Sequence, residues 1–307
     1  MNKTPAPHAD PHVDPQDKLA LIGVAVGSGA PDQGCADGPK ALADGGLLAH
    51  LASAGLAAEW LARMTAPHRM QGDDALAITA ALGKELAATT EQLSRAHRRF
   101  VSIGGDHSAA IGLWSGVARA KSTGGFGLIW IDAHMDSHTF ATTPSKMIHG
   151  MPVACLLGHG DPALTGLAGQ QPAVAPEHLC LIGTRSWEDG EAALLERLGA
   201  RVIKMPEVDS RGFAAALDEA IAIATDGTSR FGVSIDIDAF DPAEITGTGI
   251  HVPDGLFKRD VVQALQRLRR EPTLAGMEIA EYNPHRDHNG QTAQLIGDLM
   301  IAGFGAA

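Results

Sequence analysis

The sequence predicts a single three-layer α/β domain around a central parallel sheet of about eight strands. Three observations carry this. Short apolar runs of strand type alternate with longer segments of helical period, the pattern of repeated βα units. The connections are short and turn-rich, with no internal repeat and no linker long enough to divide the chain. Polar clusters follow directly on four of the apolar runs, where open α/β sheets place their ligands.

The elements follow in order. Residues 1–17 form a tail rich in Pro, Asp and His, whose composition predicts disorder and leaves His8 and His12 solvated. The domain spans 18–307. Leu19 to Val26 is the first strand. Gly27 to Pro39 is too polar for core and reads as a loop. Leu42 to Leu56 has helical spacing, Ala57 to Met64 is a second strand, and Asp73 to His97 is a long helix rich in Ala, Leu and Glu. Phe100 to Ile103 is a strand that runs into Gly104-Gly105-Asp106-His107-Ser108, ahead of a helix over Ala109 to Lys121. The apolar run Gly127 to Ile131 is the next strand. A polar loop from Thr139 to Ile148 leads to His149-Gly150-Met151-Pro152 and a short helix. Strands are then expected at Leu179 to Gly183, Val202 to Met205, Phe231 to Asp238 and Gly276 to Ile279. The helices between and after them are Gly190 to Leu198, Gly212 to Ala224, Lys258 to Arg270 and Thr292 to Ile301.

Composition excludes several functions. A formal charge of −12 leaves no basic face for a phosphate backbone, so no nucleic-acid partner is expected. No apolar run reaches the length of a membrane span, and the N-terminus lacks the apolar core of a signal peptide. The three cysteines, Cys35, Cys155 and Cys180, are odd in number and lack CxxC spacing. They read as reduced thiols in a cytoplasmic protein.

The chemistry is concentrated in Phe126 to His138, FGLIWIDAHMDSH. Asp132, His134 and Asp136 follow the apolar run at every second position. In an extended segment such residues share one face, and strand packing gives no reason for two carboxylates and an imidazole there. Asp236 and Asp238 in Ser234 to Pro242 repeat the pattern. With His107 the total is four carboxylates and two imidazoles, too many anions for one metal. Two divalent ions sharing carboxylates would bring the site near neutrality. Oxygen-rich donors without thiolate favour Mn²⁺ over Zn²⁺, and two metals about 3.5–4 Å apart create a nucleophile from bridging water near neutral pH.

GGDHS, DAHMD and SIDIDAFDP, in this order, resemble the three signatures of the ureohydrolase family, which includes arginase, agmatinase and other guanidino-compound hydrolases. The resemblance runs from Leu19 to about Ala302. The loop Ser145 to Pro152, Glu281 in EYNP and Gly34 to Pro39 are most similar to arginases. It implies an arginase-like fold with two Mn²⁺ per subunit, one on His107, Asp132, Asp136 and Asp236, the other on Asp132, His134, Asp236 and Asp238. It further implies that Asp136 handles the proton of the nucleophile, that Glu281 orients the guanidinium, and that His149 is the acid/base shuttle. A homotrimer or homohexamer and a small cationic guanidino substrate follow from the same resemblance.

At the specificity end the pattern departs from arginases. His138 and Met147 stand where Asn is usual, Lys146 replaces a glycine, and Glu188 stands for the Asp that binds an α-amino group. Ser145 and Thr248 match. The expected substrate contacts are therefore His138, Ser145, Lys146, Met147, Glu188, Thr248 and Glu281, with Lys146 or His138 meeting a substrate carboxylate. The expected reaction is L-arginine to L-ornithine and urea. Hydrolysis of agmatine or another guanidino acid (guanidinobutyrate, guanidinopropionate) is the alternative, and a non-catalytic ligand-binding relative is a third.

Overall fold

The computed structural model describes residues 18–65, 75–120 and 124–306. The predicted tail with His8 and His12, the first residues of the 73–97 helix and Lys121 lie outside them.

Among the described residues are eight strands: β1 Leu19–Ala25, β2 Ala58–Thr65, β3 Phe100–Ile103, β4 Gly125–Ile131, β5 Leu179–Thr184, β6 Arg201–Lys204, β7 Thr228–Asp236 and β8 Leu274–Ala280. All pair in parallel in the order β2-β1-β3-β8-β7-β4-β5-β6. Helices α1 Gly38–Asp44, α2 Leu47–Ser53, α3 Ala75–Arg95, α4 Ala109–Arg119, α5 Pro152–Leu156 and α6 Pro162–Thr165 occupy the first half. Helices α7 Asp189–Leu198, α8 Met205–Arg211, α9 Phe213–Thr225, α10 Lys258–Leu265 and α11 Gln291–Phe304 complete the second.

The two faces of the sheet carry separate cores. Leu19, Leu21, Ile131 and Ile235 pack with Leu217 of α9 and Leu299 of α11. The alternate residues Ala20, Ile22, Leu128 and Trp130 pack with Leu86 of α3 and Trp114 of α4. This alternation makes the three layers. It follows from strands buried on both faces, which read as continuous apolar runs.

The register positions the site. Ile103, Ile279, Ile235 and Ile131 lie level across the adjacent strands β3, β8, β7 and β4. The four predicted polar clusters are the residues that follow this row, so they share one stretch of the carboxyl edge.

Local structure differs from expectation in several places. The segment 42–56 is two helices, broken where Gly46 takes a left-handed φ of 84°. The expected loop 27–39 contains a 3₁₀ turn, Gln33–Asp37, and already starts α1 at Gly38. Met205 begins α8 and does not end β6. The metal-type motifs depart most. β4 stops at Ile131, so Asp132, His134 and Asp136 are not on an extended strand, and Asp136 has a φ of 48°. β7 stops at Asp236, and Asp238 lies in a 3₁₀ turn. The cause is common to both. Asp132 Oδ1 accepts from the His134 amide at 2.7 Å, and Asp236 Oδ1 accepts from the Asp238 amide at 2.7 Å. A carboxylate that captures the amide two residues on competes with the sheet ladder and turns the chain.

Candidate active site

Gly104 to Ser108 is laced between two strand ends. The amides of Gly105 and Asp106 donate to Val24 and Val26 carbonyls at 2.7 and 2.8 Å, while the Glu281 amide donates to Gly105 O at 2.8 Å. A Cβ on Gly105 would sit 1.6 Å from Val26 O, so only glycine permits this approach. Asp106 is buried and accepts from the Gly29 and Ser108 amides at 2.9 and 3.0 Å, a structural role.

The loop delivers His107 into a ring of carboxylates. Its Nδ1 lies 3.2 Å from Asp132 Oδ2, 3.2 Å from Asp136 Oδ2 and 3.0 Å from Asp236 Oδ2. That nitrogen is buried and makes no hydrogen bond to any protein group. The His134 Nδ1 lies 3.4 Å from Asp132 Oδ1 and 3.1 Å from Asp238 Oδ2. Asp132 therefore turns one oxygen toward each imidazole. Two donor groups result, His107–Asp132–Asp236 and Asp132–His134–Asp238, joined through Asp132. Asp136 adjoins the first group. Asp236 presents Oδ2 to His107, while its Oδ1 holds the Asp238 amide.

The electrostatics fit cations at these groups. Burial, reinforced by the charge of Asp132, pushes the Asp136 carboxyl up to about 6. Burial with the charges of Asp238 and Asp132 also drives Asp236 upward. The carboxylates resist ionising together, and a divalent ion removes that conflict. An orphaned imidazole nitrogen facing three carboxylates has the donor chemistry of a metal ligand.

A cleft of about 280 Å³ adjoins the groups, lined by His134, Asp136, His149 and Glu281 together with His138, Glu188, Thr248 and Met147. Glu281 extends from the end of β8 with a left-handed φ of 63°. Non-glycine residues in that region cost about 1–3 kcal/mol and collect at functional sites. Its Oε1 accepts from the His107 amide at 3.0 Å and lies 3.2 Å from His149 Nδ1. The His149 amide donates to Gly29 O at 3.1 Å. Burial lowers the affinity of that imidazole for a proton, but its bond to Glu281 prevails and pushes the pKa up to about 9.

The expected substrate contacts divide. His138 Nε2 lies 2.9 Å from Glu188 Oε2 and 3.5 Å from Glu191 Oε2, so the group expected to meet a substrate carboxylate and the one expected to bind an α-amino group meet each other. Ser145 and Met147 line the cleft, and Thr248 presents a buried hydroxyl with no protein partner. Lys146 does not join them. Its left-handed backbone turns the side chain away, and its ammonium donates to Phe140 O at 2.8 Å.

Sequence reasoning missed several contributors. Glu191 caps α7, accepting from the Glu188 amide at 3.0 Å, and burial pushes it up to about 8. Arg185 donates to the carbonyls of Asp238, Ala239 and Val252 and so pins the turn that carries Asp238. Trp130, Ser234 and Glu278 sit one row behind the site. A charged residue inside the apolar strand GMEIA was the available signal for Glu278.

The fold and the donor set together define an α/β protein with paired metal-type sites at the carboxyl edge of a parallel sheet. Residues 17–305 match the model of the arginase family. The arginase of Bacillus caldovelox is 36% identical over 294 residues, spanning 94% of this chain and 98% of its own length. That of Brevibacillus brevis is 35% identical over 292 residues, spanning 94% and 97%. A crystal structure of arginase from Bacillus subtilis superposes with a TM-score of 0.87 at 30% identity, over 94% of this chain and 99% of that one. Entamoeba histolytica arginase in complex with L-ornithine gives 0.83 at 27% identity, over 94% and 98%. The chain belongs to the arginase family.

Proposed function

We propose that this chain is a urea-releasing hydrolase that converts L-arginine to L-ornithine and urea with two Mn²⁺ per subunit. The observation that carries the reading is the pair of donor groups sharing Asp132, with Glu281 and His149 lining the same cleft. Its similarity to arginases over nearly the full length of each chain supports the same substrate. A binuclear site of this kind supplies a hydroxide nucleophile at neutral pH.

The chain's own residues do the remaining work. His107, Asp132, Asp136 and Asp236 would hold one ion, and Asp132, His134, Asp236 and Asp238 the other. Asp136 accepts the proton released by the nucleophile. Glu281 receives the guanidinium through charge-assisted hydrogen bonds and holds its carbon over the paired groups. His149, held in the protonated form by Glu281, donates a proton to the departing amine. The unpartnered Thr248 hydroxyl, with Ser145, His138 and Glu188, receives the substrate's amino-acid end. Met147 contributes an apolar wall. The expected assembly is a homotrimer or homohexamer in the cytoplasm.

A second reading, hydrolysis of agmatine or another guanidino acid, is favoured by one observation: His138 engages Glu188 directly, and Met147 offers no carboxamide. Urea release from arginine, agmatine, guanidinobutyrate and guanidinopropionate, with and without Mn²⁺, tests both. Arginine as the preferred substrate is expected. Activity confined to another member of the panel would replace the first reading with the second, and silence on all four with metal bound would remove both.

A further inference from the structure

The opposite edge of the sheet carries a concentration of positive charge. A pocket of about 500 Å³ lies at the amino ends of β3, β8 and β7, within the size range of small-molecule sites. Arg98 and Arg99 lead into β3, Arg230 sits near the start of β7, and Arg269 and Arg270 end the 3₁₀ turn that precedes β8. The three strands are neighbours in the order β3-β8-β7, so these segments converge. His97 adds an imidazole, and Glu271 is the one carboxylate among the lining residues. A formal charge of −12 gave no reason to expect five guanidinium groups around a single acid.

Contacts that hold the fold account for part of the cluster. Arg98 pairs with Glu59 at 2.6 Å. Arg230 donates to the Ser94 carbonyl at the end of α3 and lies 3.3 Å from His97 Nδ1. Arg269 donates to the carbonyls of Ala302, Ile301 and Ala306 at 2.8, 3.0 and 2.8 Å. These bonds serve helix C-termini, where cations are favoured. They fix two guanidinium groups in place without neutralising them. Arg99 and Arg270 are exposed, and Arg99 lies over the Phe304 ring, 5.6 Å from its centroid. Among the described residues Arg99, Arg230, Arg269 and Arg270 have no carboxylate partner. Burial holds the Arg230 guanidinium below its ordinary value with no acid to offset it.

Ser94 is an independent sign. It lines the same pocket, is 2% exposed, and its hydroxyl has no hydrogen-bond partner. Buried hydroxyls are nearly always paired.

We propose that this pocket binds a small polyanion carrying two or more adjacent phosphate groups. A planar guanidinium pairs bidentately with phosphate oxygens, and four unpaired ones around one cavity call for a ligand of several negative charges. The prior anchoring of Arg230 and Arg269 removes part of the ordering cost of binding. No Phe, Tyr or Trp lines the pocket, so the recognised part is the phosphate chain and not a base stacked beside it. The site lies at the other end of the strands from the carboxyl-edge cleft and does not depend on the reaction proposed there.

The test titrates pyrophosphate by calorimetry into the full chain and into an Arg99→Ala/Arg270→Ala double variant. Both side chains are exposed, so the double variant is expected to keep the native Tm. Both proteins carry the same metal load, so complexes between pyrophosphate and an ion cancel in the comparison. The native chain is expected to take up one pyrophosphate, with an affinity that falls about tenfold for each arginine removed. Inorganic phosphate should bind more weakly than pyrophosphate. Equal affinity in the native chain and the double variant overturns the proposal, as does a native chain with no saturable binding at millimolar pyrophosphate. Citrate bound as tightly as pyrophosphate overturns the assignment to phosphate. If the double variant loses Tm, Arg270→Ala decides alone, by the same comparison.

Discussion

Glu281 Oε1 lies 3.2 Å from His149 Nδ1, although 132 positions separate the two residues in sequence. The same oxygen accepts from the His107 amide at 3.0 Å. One carboxylate therefore fixes the acid/base candidate to the loop that carries His107. A shift of either loop reaches the other through a single side chain.

Glu281→Gln removes the charge proposed to receive the guanidinium while keeping the size of the side chain. The expected loss in kcat/KM is about 2–5 kcal/mol, the range for breaking one side of a buried charge-assisted pair. Mn²⁺ stoichiometry should be unchanged, because the His107 contact is to its backbone. Steady-state urea release together with metal analysis checks this.

The metal-free protein should lose stability as pH rises. Asp136 goes from an ordinary 3.8 to about 6 on folding, and His149 from 6.5 to about 9. Each folded state holds its proton longer than the unfolded chain does, so each contribution is complete below the unfolded value and lost as pH passes the folded one. Tm of the chelated protein is expected to fall between about pH 4 and 6 through Asp136, and again between about 6.5 and 9 through His149. His149→Gln should flatten the upper step alone. Mn²⁺ affinity should rise with pH, since protons compete with the metal for the same carboxylates.

Gly105→Ala should destabilise the fold by about 3 kcal/mol or more, because the new Cβ meets the Val26 carbonyl and the β1 end cannot move aside. Denaturant unfolding measures the loss. Mn²⁺ affinity should drop with it, since the same loop carries His107.

His138→Asn tests the outer end of the cleft. Removing the imidazole frees Glu188 for a substrate ammonium, and kcat/KM for arginine should rise by up to about tenfold, the worth of one or two hydrogen bonds. Lys146→Met should leave KM unchanged, because the ammonium is engaged with Phe140 O outside the cleft. A raised KM in that variant would return Lys146 to the substrate contacts.

All three thiols are buried and free. Burial pushes Cys155 and Cys180 up to about 12 and raises Cys35 as well. Thiol-reactive dye should label none of them in the native protein and all three after denaturation. Rapid labelling of the native chain would contradict the packing around them.

The sequence by itself determined the α/β layering, the parallel sheet and the identity of the metal-type residues. Strand and helix periods are local properties, and runs such as Gly127 to Ile131 carry them without reference to the rest of the chain. The convergence of clusters after Ile103, Ile131, Ile235 and Ile279 was legible for the same reason, since strand ends in a parallel sheet all point one way. The manner in which the donors meet was not legible. An alternating strand face grouped Asp132 with His134, and Asp236 with Asp238, through the wrong geometry, because each carboxylate captures its own downstream amide and ends the strand. Strand order was decided only by the tertiary structure, and with it the row that brings Ser234 and Glu278 behind His107. So was the pairing of His138 with Glu188, and the turning away of Lys146. These are contacts between segments far apart in the chain, and no local spacing specifies which of those segments become neighbours.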